Sequence, residues 1–130
     1  DFNDDLSYLS LSGSRVKSKR NRHVPVPLAI RKLLVRNEPH TNIFSGKETP
    51  YNNDYFKTLF RRFKRLYNQI DNGVTLYSFR HSGAIEIYKR TGSLTKLQKA
   101  MGHSSINVSL TYLRGLEIAE LKEEDMPTLL

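Results

Sequence analysis

The chain has 130 residues, of which 38% are hydrophobic and 26% charged, and it contains no cysteine. A chain of this length can bury one hydrophobic core. The lack of cysteine excludes disulfides and thiolate metal sites, and no apolar run is long enough to span a bilayer. The formal net charge of +8 indicates a polyanionic partner, such as DNA, RNA or an anionic membrane surface.

The charge is distributed unevenly along the chain. Residues 6–37 include eight basic residues and no acidic one, and residues 55–70 include five basic residues and again no acidic one. Residues 117–125 show the reverse, with five acidic residues and one lysine. A basic body with an acidic tail favours DNA binding, and a solvated basic surface without a partner is the alternative.

The first 27 residues predict a small antiparallel sheet with a basic hairpin. Leucines alternate with serines in a first strand over residues 6–12, and Gly13-Ser14 is a turn signal. Two further short strands, over residues 15–19 and 23–27, are joined by a polar turn at Arg20-Asn21. The sequence begins directly in strand-like residues and without an initiator methionine, so we expect a piece of a longer chain.

The rest of the chain predicts helices. The first extends from Pro27 to Asn37, and the most strongly amphipathic one extends from a cap at Asn52 or Asn53 to Ile70. Its apolar face is predicted to pack in the core and its basic face to meet phosphates. Further helices are predicted over residues 78–90, ended by Gly92, and from a cap at Ser93 to residue 101, ended by Gly102. Two more are predicted from a cap at Ser104 or Ser105 to residue 112, and over residues 116–125.

These elements predict an α+β, mainly helical fold, in which a small N-terminal antiparallel sheet is followed by a helical bundle. We expect one partial catalytic domain over residues 1–130. Within it, residues 1–27 form the sheet, residues 28–115 the helical core and residues 116–130 the C-terminal tail.

Three short motifs occur in the second half of the chain: Tyr77-Ser78-Phe79-Arg80-His81-Ser82, Met101-Gly102-His103-Ser104-Ser105 and Thr111-Tyr112-Leu113. His103 follows Arg80 by 23 positions, and Tyr112 follows His103 by nine. In these residues and spacings the chain resembles the tyrosine recombinases, which include phage integrases, Xer-type recombinases and transposon integrases. The resemblance covers nearly the whole chain, and the combination is specific although each motif alone is weak.

The resemblance implies site-specific recombination of double-stranded DNA. A tyrosine phenolate attacks a phosphodiester and forms a covalent 3′-phosphotyrosine. Tyr112 would be this nucleophile, and Arg80 and His103 would donate hydrogen bonds to the non-bridging oxygens of the transition state. Because the covalent linkage keeps the energy of the broken bond, we expect no cofactor. The four histidines lack ligand spacing, so we also predict no metal site.

The leaving 5′ oxygen needs a proton, which in these enzymes comes from a lysine on a β-hairpin. The matching segment of this chain is residues 15–19. We favour Lys17, with Lys19 as the alternative, because the register of a hairpin is easily misread by two residues. Lys17 could equally be a solvated or phosphate-contacting lysine within a basic cluster.

Two features depart from the family pattern. Family members often carry a histidine three residues before the arginine that Arg80 matches, as an acid–base group. Here that position is Tyr77, and an ordinary phenol with a pKa of about 10 is a poor base at neutral pH. Members also have another catalytic arginine upstream of the hairpin and an N-terminal DNA-clamping domain, which this sequence lacks. We therefore expect the isolated piece to be inactive or nearly so.

Basic residues outside the motifs are candidates for contacts with DNA phosphates. They lie on the hairpin and on the amphipathic helix: Lys19, Arg20, Arg22, Lys57, Arg61, Lys64 and Arg65. We expect a bacterial cytoplasmic protein that joins the nucleoid when it binds DNA and has no membrane partner.

The C-terminal tail has a predicted use of its own. Its apolar residues could contact a neighbouring protomer in a synaptic tetramer, or could fold back on their own domain. The residues concerned are Leu116, Ile118, Ala119 and Leu121.

Two other functions stay open on the sequence alone. A non-catalytic DNA-binding module on the same scaffold would account for Tyr77 and for the missing arginine. A type IB topoisomerase would share the chemistry, although the small size and the Gly-His-Ser-Ser turn argue against it. RNA binding has less support, because no aromatic-rich sheet is visible.

Overall fold

The computed structural model describes residues 1–17, 19–114, 116 and 122–128. These residues form a mainly helical fold with a two-stranded antiparallel sheet near the N-terminus, which confirms the predicted α+β class. The elements are β1 (Tyr8–Leu11), β2 (Arg22–Pro25), α1 (Leu28–Arg31), α2 (Tyr55–Leu66), α3 (Leu76–Thr91), α4 (Leu94–Met101) and α5 (Ile106–Tyr112), with short 3₁₀ turns at Gly13–Arg15 and Glu123–Asp125.

The sheet pairs β1 with β2 in antiparallel register, and Tyr8 lies opposite Pro25. The predicted middle strand over residues 15–19 is wrong, because the described residues between β1 and β2 form a 3₁₀ turn and bends. The Asn21 side chain accepts a hydrogen bond of 2.8 Å from the Gly13 amide and so closes this connection locally. Side-chain bonds of this kind compete with ladder pairing and favour turns.

The helix predicted to reach Asn37 is much shorter, because α1 ends at Arg31. The chain leaves α1 through single turns, and the guanidinium of Arg36 donates to the carbonyl oxygens of Asn3 and Asp4 at 3.0 and 2.7 Å. This contact connects the segment after α1 to the N-terminal residues. Periodicity in the sequence does not predict it, because the two segments are far apart along the chain.

The boundaries of α2 also differ from the prediction. The helix begins after Asp54, and the Asn52 side chain accepts a hydrogen bond of 3.0 Å from the Asp54 amide. Neither Asn52 nor Asn53 is therefore the cap itself. The helix ends at Leu66 instead of Ile70, because the residue after Leu66 leaves helical geometry with φ −120° and ψ 84°.

The predicted burial of the apolar face of α2 is wrong for the part of the chain that the structure describes. No residue of α2 is buried, and Leu66 is 80% exposed. Edge-to-face contacts cover part of the face, with ring centroids 5.8 Å apart for Phe44 and Phe56 and 5.6 Å apart for Phe60 and Phe79. Helical periodicity identifies residues that share a face, but it does not identify the surface that covers them.

The end of α3 and both ends of α4 follow the predicted capping signals, whereas α3 begins at Leu76 instead of Ser78. The Ser78 hydroxyl accepts a hydrogen bond of 3.0 Å from the Thr75 amide at the start of α3, and Ser93 accepts a hydrogen bond of 3.2 Å from the Lys96 amide at the start of α4. Gly92 and Gly102 end α3 and α4 in the left-handed conformation, with φ of 60° and 69°.

The C-terminal prediction can be compared only in part. The cap of α5 is Ser105, one of the two residues predicted. Of the helix predicted over residues 116–125, residues 117–121 lie outside the described residues, and Glu123–Asp125 form a 3₁₀ turn instead of an α-helix. Among the described helices, none combines the length and the apolar character that crossing a membrane requires.

The core is small and lies between α3, α4 and α5. Its buried apolar residues are Ala84, Leu97, Met101 and Tyr112, each no more than 8% exposed, with partly buried side chains around them. The residue predicted to be the nucleophile is therefore also a core residue, so the packing that stabilises the fold sets the position of its ring.

Three glycine-to-alanine variants separate backbone strain from steric conflict. Gly92 has positive φ and open space around it, whereas a Cβ on Gly102 would lie 2.7 Å from Nη1 of Arg22. We expect Gly92→Ala to lower the unfolding free energy by about 1–2 kcal/mol, and Gly102→Ala to lower it further because the guanidinium must move. Gly83, with no neighbour within 4 Å on helix α3, is the matched control, and Gly83→Ala should raise stability by roughly 0.5–1 kcal/mol.

Urea denaturation of the three variants measures these differences. Equal losses of unfolding free energy in Gly92→Ala and Gly102→Ala would contradict the expectation. They would mean that the Arg22 guanidinium can move away from the added methyl group at no energetic cost.

Candidate active site

Helices α3 and α5 bring three predicted site residues into contact. The hydroxyl of Tyr112 forms a short hydrogen bond with the hydroxyl of Tyr77, and Nε of Arg80 donates to the Tyr112 oxygen at 3.4 Å. Tyr77 and Arg80 lie three positions apart on α3 and therefore face the same side of the helix. Nη2 of Arg80 also donates to the Met101 carbonyl at 2.8 Å, which anchors the guanidinium to the end of α4.

Two imidazole rings pack against the phenol ring of Tyr112. The His103 ring lies 5.0 Å from it between centroids, and the His81 ring lies 5.5 Å from it in a stacked arrangement. Since Tyr112 is only 8% exposed, these contacts and the core fix the ring. Its oxygen is thereby held where Tyr77 and Arg80 can reach it.

The hydrogen bond between Tyr77 and Tyr112 shifts the pKa values of the two phenols in opposite directions. Burial by itself would raise the pKa of Tyr112, but the hydrogen bonds from Tyr77 and Arg80 and the charge of the guanidinium together lower it below its ordinary value. The hydrogen bond to Tyr112 raises the pKa of Tyr77. These opposite directions make Tyr112 the more acidic of the two phenols, and once Tyr112 is ionised Tyr77 is the donor in their hydrogen bond.

His103 occupies the turn between α4 and α5, where Nδ1 lies 2.9 Å from the hydroxyl oxygen of Ser109. Burial lowers the pKa of His103, and the nearby charges of Arg80 and Arg22 lower it further. Ser109 was not among the site residues predicted from the sequence. A signal was present, because Ser109 lies three positions before Tyr112 on the same helix and so shares its face.

A cavity of about 620 Å³ joins the hairpin to the helices. Its lining includes Lys17, Lys19, Arg22, Arg80 and His103, and none of the lining residues is acidic. Tyr112 is not on the cavity wall and is connected to the cavity through Arg80. A concave site lined by positive charge and without a carboxylate attracts anions.

Arg22 is built into the wall of this cavity. Its Nη1 donates to the Ala100 carbonyl at 3.3 Å, and its guanidinium packs closely on Gly102. Its Nε is buried and has no hydrogen-bond partner within the described part of the chain. Burial and the charge of Arg80 lower the pKa of Arg22. Among the described residues, neither the Arg22 nor the Arg80 guanidinium forms an ion pair with a carboxylate.

The predicted DNA contacts on α2 lie apart from this cavity. Lys57 pairs with Asp54 at 3.1 Å in an exposed ion pair. Nζ of Lys64 donates to the carbonyl oxygens of Asn72 and Val74, both at 2.8 Å, so this lysine holds the loop that leads into α3.

The other predicted contacts occupy different positions. Arg61 lines a second groove together with Tyr77, and Arg65 is exposed. Arg20 borders a third groove, which shares Arg22 and His103 with the cavity. In the described residues there is no cluster of three potential metal ligands.

Removal of either donor to the Tyr112 oxygen should raise the pKa of Tyr112. We expect this result for Tyr77→Phe and for Arg80→Gln, because each variant removes a hydrogen bond that lowers the pKa. NMR titration of protein with ¹³C-labelled tyrosine, assigned with Tyr112→Phe, measures the shift. Tyr67→Phe, an exposed tyrosine on the end of α2, is the control. An unchanged or lower pKa in both test variants would disprove the proposed interactions.

Comparison with known proteins supports one family. The model of the phage integrase family matches residues 1–118, a span that includes the hairpin and all three motifs. No curated protein and no solved structure gives a significant match. Membership of this family implies tyrosine recombinase activity in general, with DNA as the substrate. The chain, matched over most of its length, therefore belongs to the phage integrase family.

Proposed function

We propose that the protein is a site-specific DNA recombinase in which Tyr112 attacks a DNA phosphodiester and forms a 3′-phosphotyrosine. One observation carries this proposal: Arg80 touches the Tyr112 oxygen and also lines a positively charged cavity. A nucleophile and a phosphate-binding guanidinium are thus in direct contact.

The environment of Tyr112 favours attack. A phenolate is the nucleophilic form of tyrosine, and the lowered pKa of Tyr112 makes loss of its proton to water easier. Tyr77 donates a hydrogen bond to the phenolate instead of removing its proton, because the pKa of Tyr77 is raised. This arrangement explains how a tyrosine can occupy a position at which the family often has a histidine.

The cavity supplies donors for the phosphate. The transition state places extra negative charge on the non-bridging oxygens, and Arg80 and His103 donate to them. Arg22 adds a second positive charge to the same wall. Loss of one such preorganised donor typically costs roughly 3–4 kcal/mol of transition-state stabilisation.

A hairpin lysine completes the step. The bond between the Tyr112 oxygen and phosphorus forms while the bond from phosphorus to the 5′ oxygen breaks, and the 5′ oxygen takes a proton from a lysine ammonium. Lys17 and Lys19 both line the cavity, and we retain Lys17 as the first choice. In the reverse step, the 5′-hydroxyl of a partner strand attacks the phosphotyrosine and releases Tyr112.

Exchange between two DNA sites further requires several protomers, so we propose that the protein self-associates on DNA. Of the tail residues predicted to make this contact, only Leu116 lies within the described part of the chain.

Covalent trapping tests the nucleophile. The complete protein that carries this chain is incubated with nicked duplexes recovered by binding from a random-sequence pool, and protein–DNA adducts are resolved on a denaturing gel. We expect an adduct from the wild-type protein and from Tyr67→Phe, and a loss of at least about 10³-fold in Tyr112→Phe, because that variant lacks the oxygen that forms the phosphotyrosine.

Other outcomes point to the alternatives. Salt-sensitive DNA binding without any adduct would indicate a non-catalytic module. Relaxation of supercoiled DNA without exchange between sites would indicate a topoisomerase.

A sulfur substitution distinguishes the two lysines. Lys17→Ala should slow cleavage of ordinary DNA by about 10²–10⁴-fold, because the 5′ oxygen then leaves without a proton donor. A bridging 5′-phosphorothiolate should restore the rate, since a thiolate leaves without protonation. Lys19→Ala is the matched control and should show a smaller loss that sulfur does not rescue. The opposite pattern would assign the proton to Lys19, and rescue of neither variant would exclude the hairpin as the proton source.

A further inference from the structure

Ser109 is the least exposed polar residue of the core. Its exposure is 0%, and it lies on α5 behind the turn that carries His103. Its hydroxyl oxygen lies 2.9 Å from Nδ1 of His103, and within the described residues it has no other side-chain hydrogen bond. A buried polar group with a single partner is strongly constrained by that partner.

The single partner determines the direction of the hydrogen bond. If Nδ1 carried the imidazole proton, the hydroxyl hydrogen of Ser109 would face no acceptor in a buried site. A buried donor without an acceptor is unfavourable, because it has lost its hydrogen bonds to water and gained none in return. If Nδ1 is unprotonated, the hydroxyl donates to it and both groups are satisfied. The imidazole then carries its proton on Nε2.

We propose that Ser109 is a positioning residue, whose hydroxyl donates to Nδ1 of His103 and holds the imidazole as the Nε2–H tautomer at the edge of the cavity. The inference about the tautomer rests on the geometry alone. Its consequence for phosphate binding rests on the proposed function, because a proton on Nε2 makes that nitrogen a donor to a non-bridging oxygen.

The electrostatic surroundings of His103 agree with a neutral ring. Burial, Arg80 and Arg22 all lower its pKa, so the doubly protonated imidazolium is disfavoured. A neutral imidazole has one donor and one acceptor nitrogen. A hydroxyl that donates to one nitrogen therefore leaves the proton on the other. The hydrogen bond from Ser109 sets the tautomer in the DNA-free protein. The Nε2–H donor of His103 is therefore in place before a phosphate binds.

The direct test is the tautomer of His103. The complete protein, labelled with ¹⁵N-histidine, is studied by long-range ¹H–¹⁵N NMR at a pH where His103 is neutral. We expect the Nε2–H form in the wild-type protein and in Ser109→Thr, which keeps the hydroxyl. In Ser109→Ala we expect a mixture of tautomers or the Nδ1–H form. Ser82→Ala, an exposed serine on α3, should leave the tautomer unchanged.

The NMR result decides the inference without reference to activity. An Nδ1–H form in the wild-type protein would overturn it even if every Ser109 variant failed to fold. An unchanged Nε2–H form in folded Ser109→Ala would overturn it as well.

Adduct formation measures the consequence for catalysis. Orienting groups of this kind typically contribute about 10–100-fold, so Ser109→Ala should form the phosphotyrosine adduct more slowly by that factor, and Ser109→Thr should recover most of the rate. A wild-type protein that forms no adduct would refute the proposed function while the tautomer still decides the role of Ser109. A normal rate in Ser109→Ala, with its tautomer altered, would show that the tautomer does not matter for cleavage and would remove Ser109 from the reaction.

Discussion

Burial of the Tyr112 ring is the constraint on which the site depends. The ring packs in the small core between α3, α4 and α5, and the imidazoles of His81 and His103 lie against it. A buried phenol needs partners for its oxygen, and α3 supplies Tyr77 and Arg80. The same packing that stabilises the helices therefore positions the proposed nucleophile, and a change in the core is expected to alter the geometry of the reaction.

Positive charge is concentrated around this core without compensation from carboxylates in the cavity wall. Arg22 and Arg80 repel each other, and the charge of Arg80 contributes to the lowered pKa of Arg22. Both side chains are held by backbone carbonyls, at Ala100 and Met101, near the end of α4. Repulsion between like charges opposes such an arrangement, and a bound anion would offset it. Functional sites often carry a cost of this kind, because their donors must be in place before the ligand binds.

Glycine is required at position 102 for two reasons. Gly102 ends α4 in the left-handed conformation, and the guanidinium of Arg22 occupies the space that a Cβ would need. The turn that carries His103 can therefore approach the hairpin closely, and the hairpin lysines reach the same cavity as His103. In this way a backbone requirement of the helix end connects the N-terminal sheet to the helical core.

The sequence by itself determined those helix ends that local capping sets and the residues of the three motifs. Capping residues such as Ser93 and Gly102 act within a few positions of the chain, so the C-terminal end of α3 and both ends of α4 could be predicted. The spacing of Arg80, His103 and Tyr112 indicated the family. Only the tertiary structure decided which groups meet across the fold. It showed that residues 15–17 and Lys19 belong to a turn and not to a strand, that the apolar face of α2 is largely exposed within the described residues, and that Ser109 lies behind His103. These features depend on approach between segments distant in sequence, which periodicity and capping do not specify, because they report a residue's neighbours along one element only.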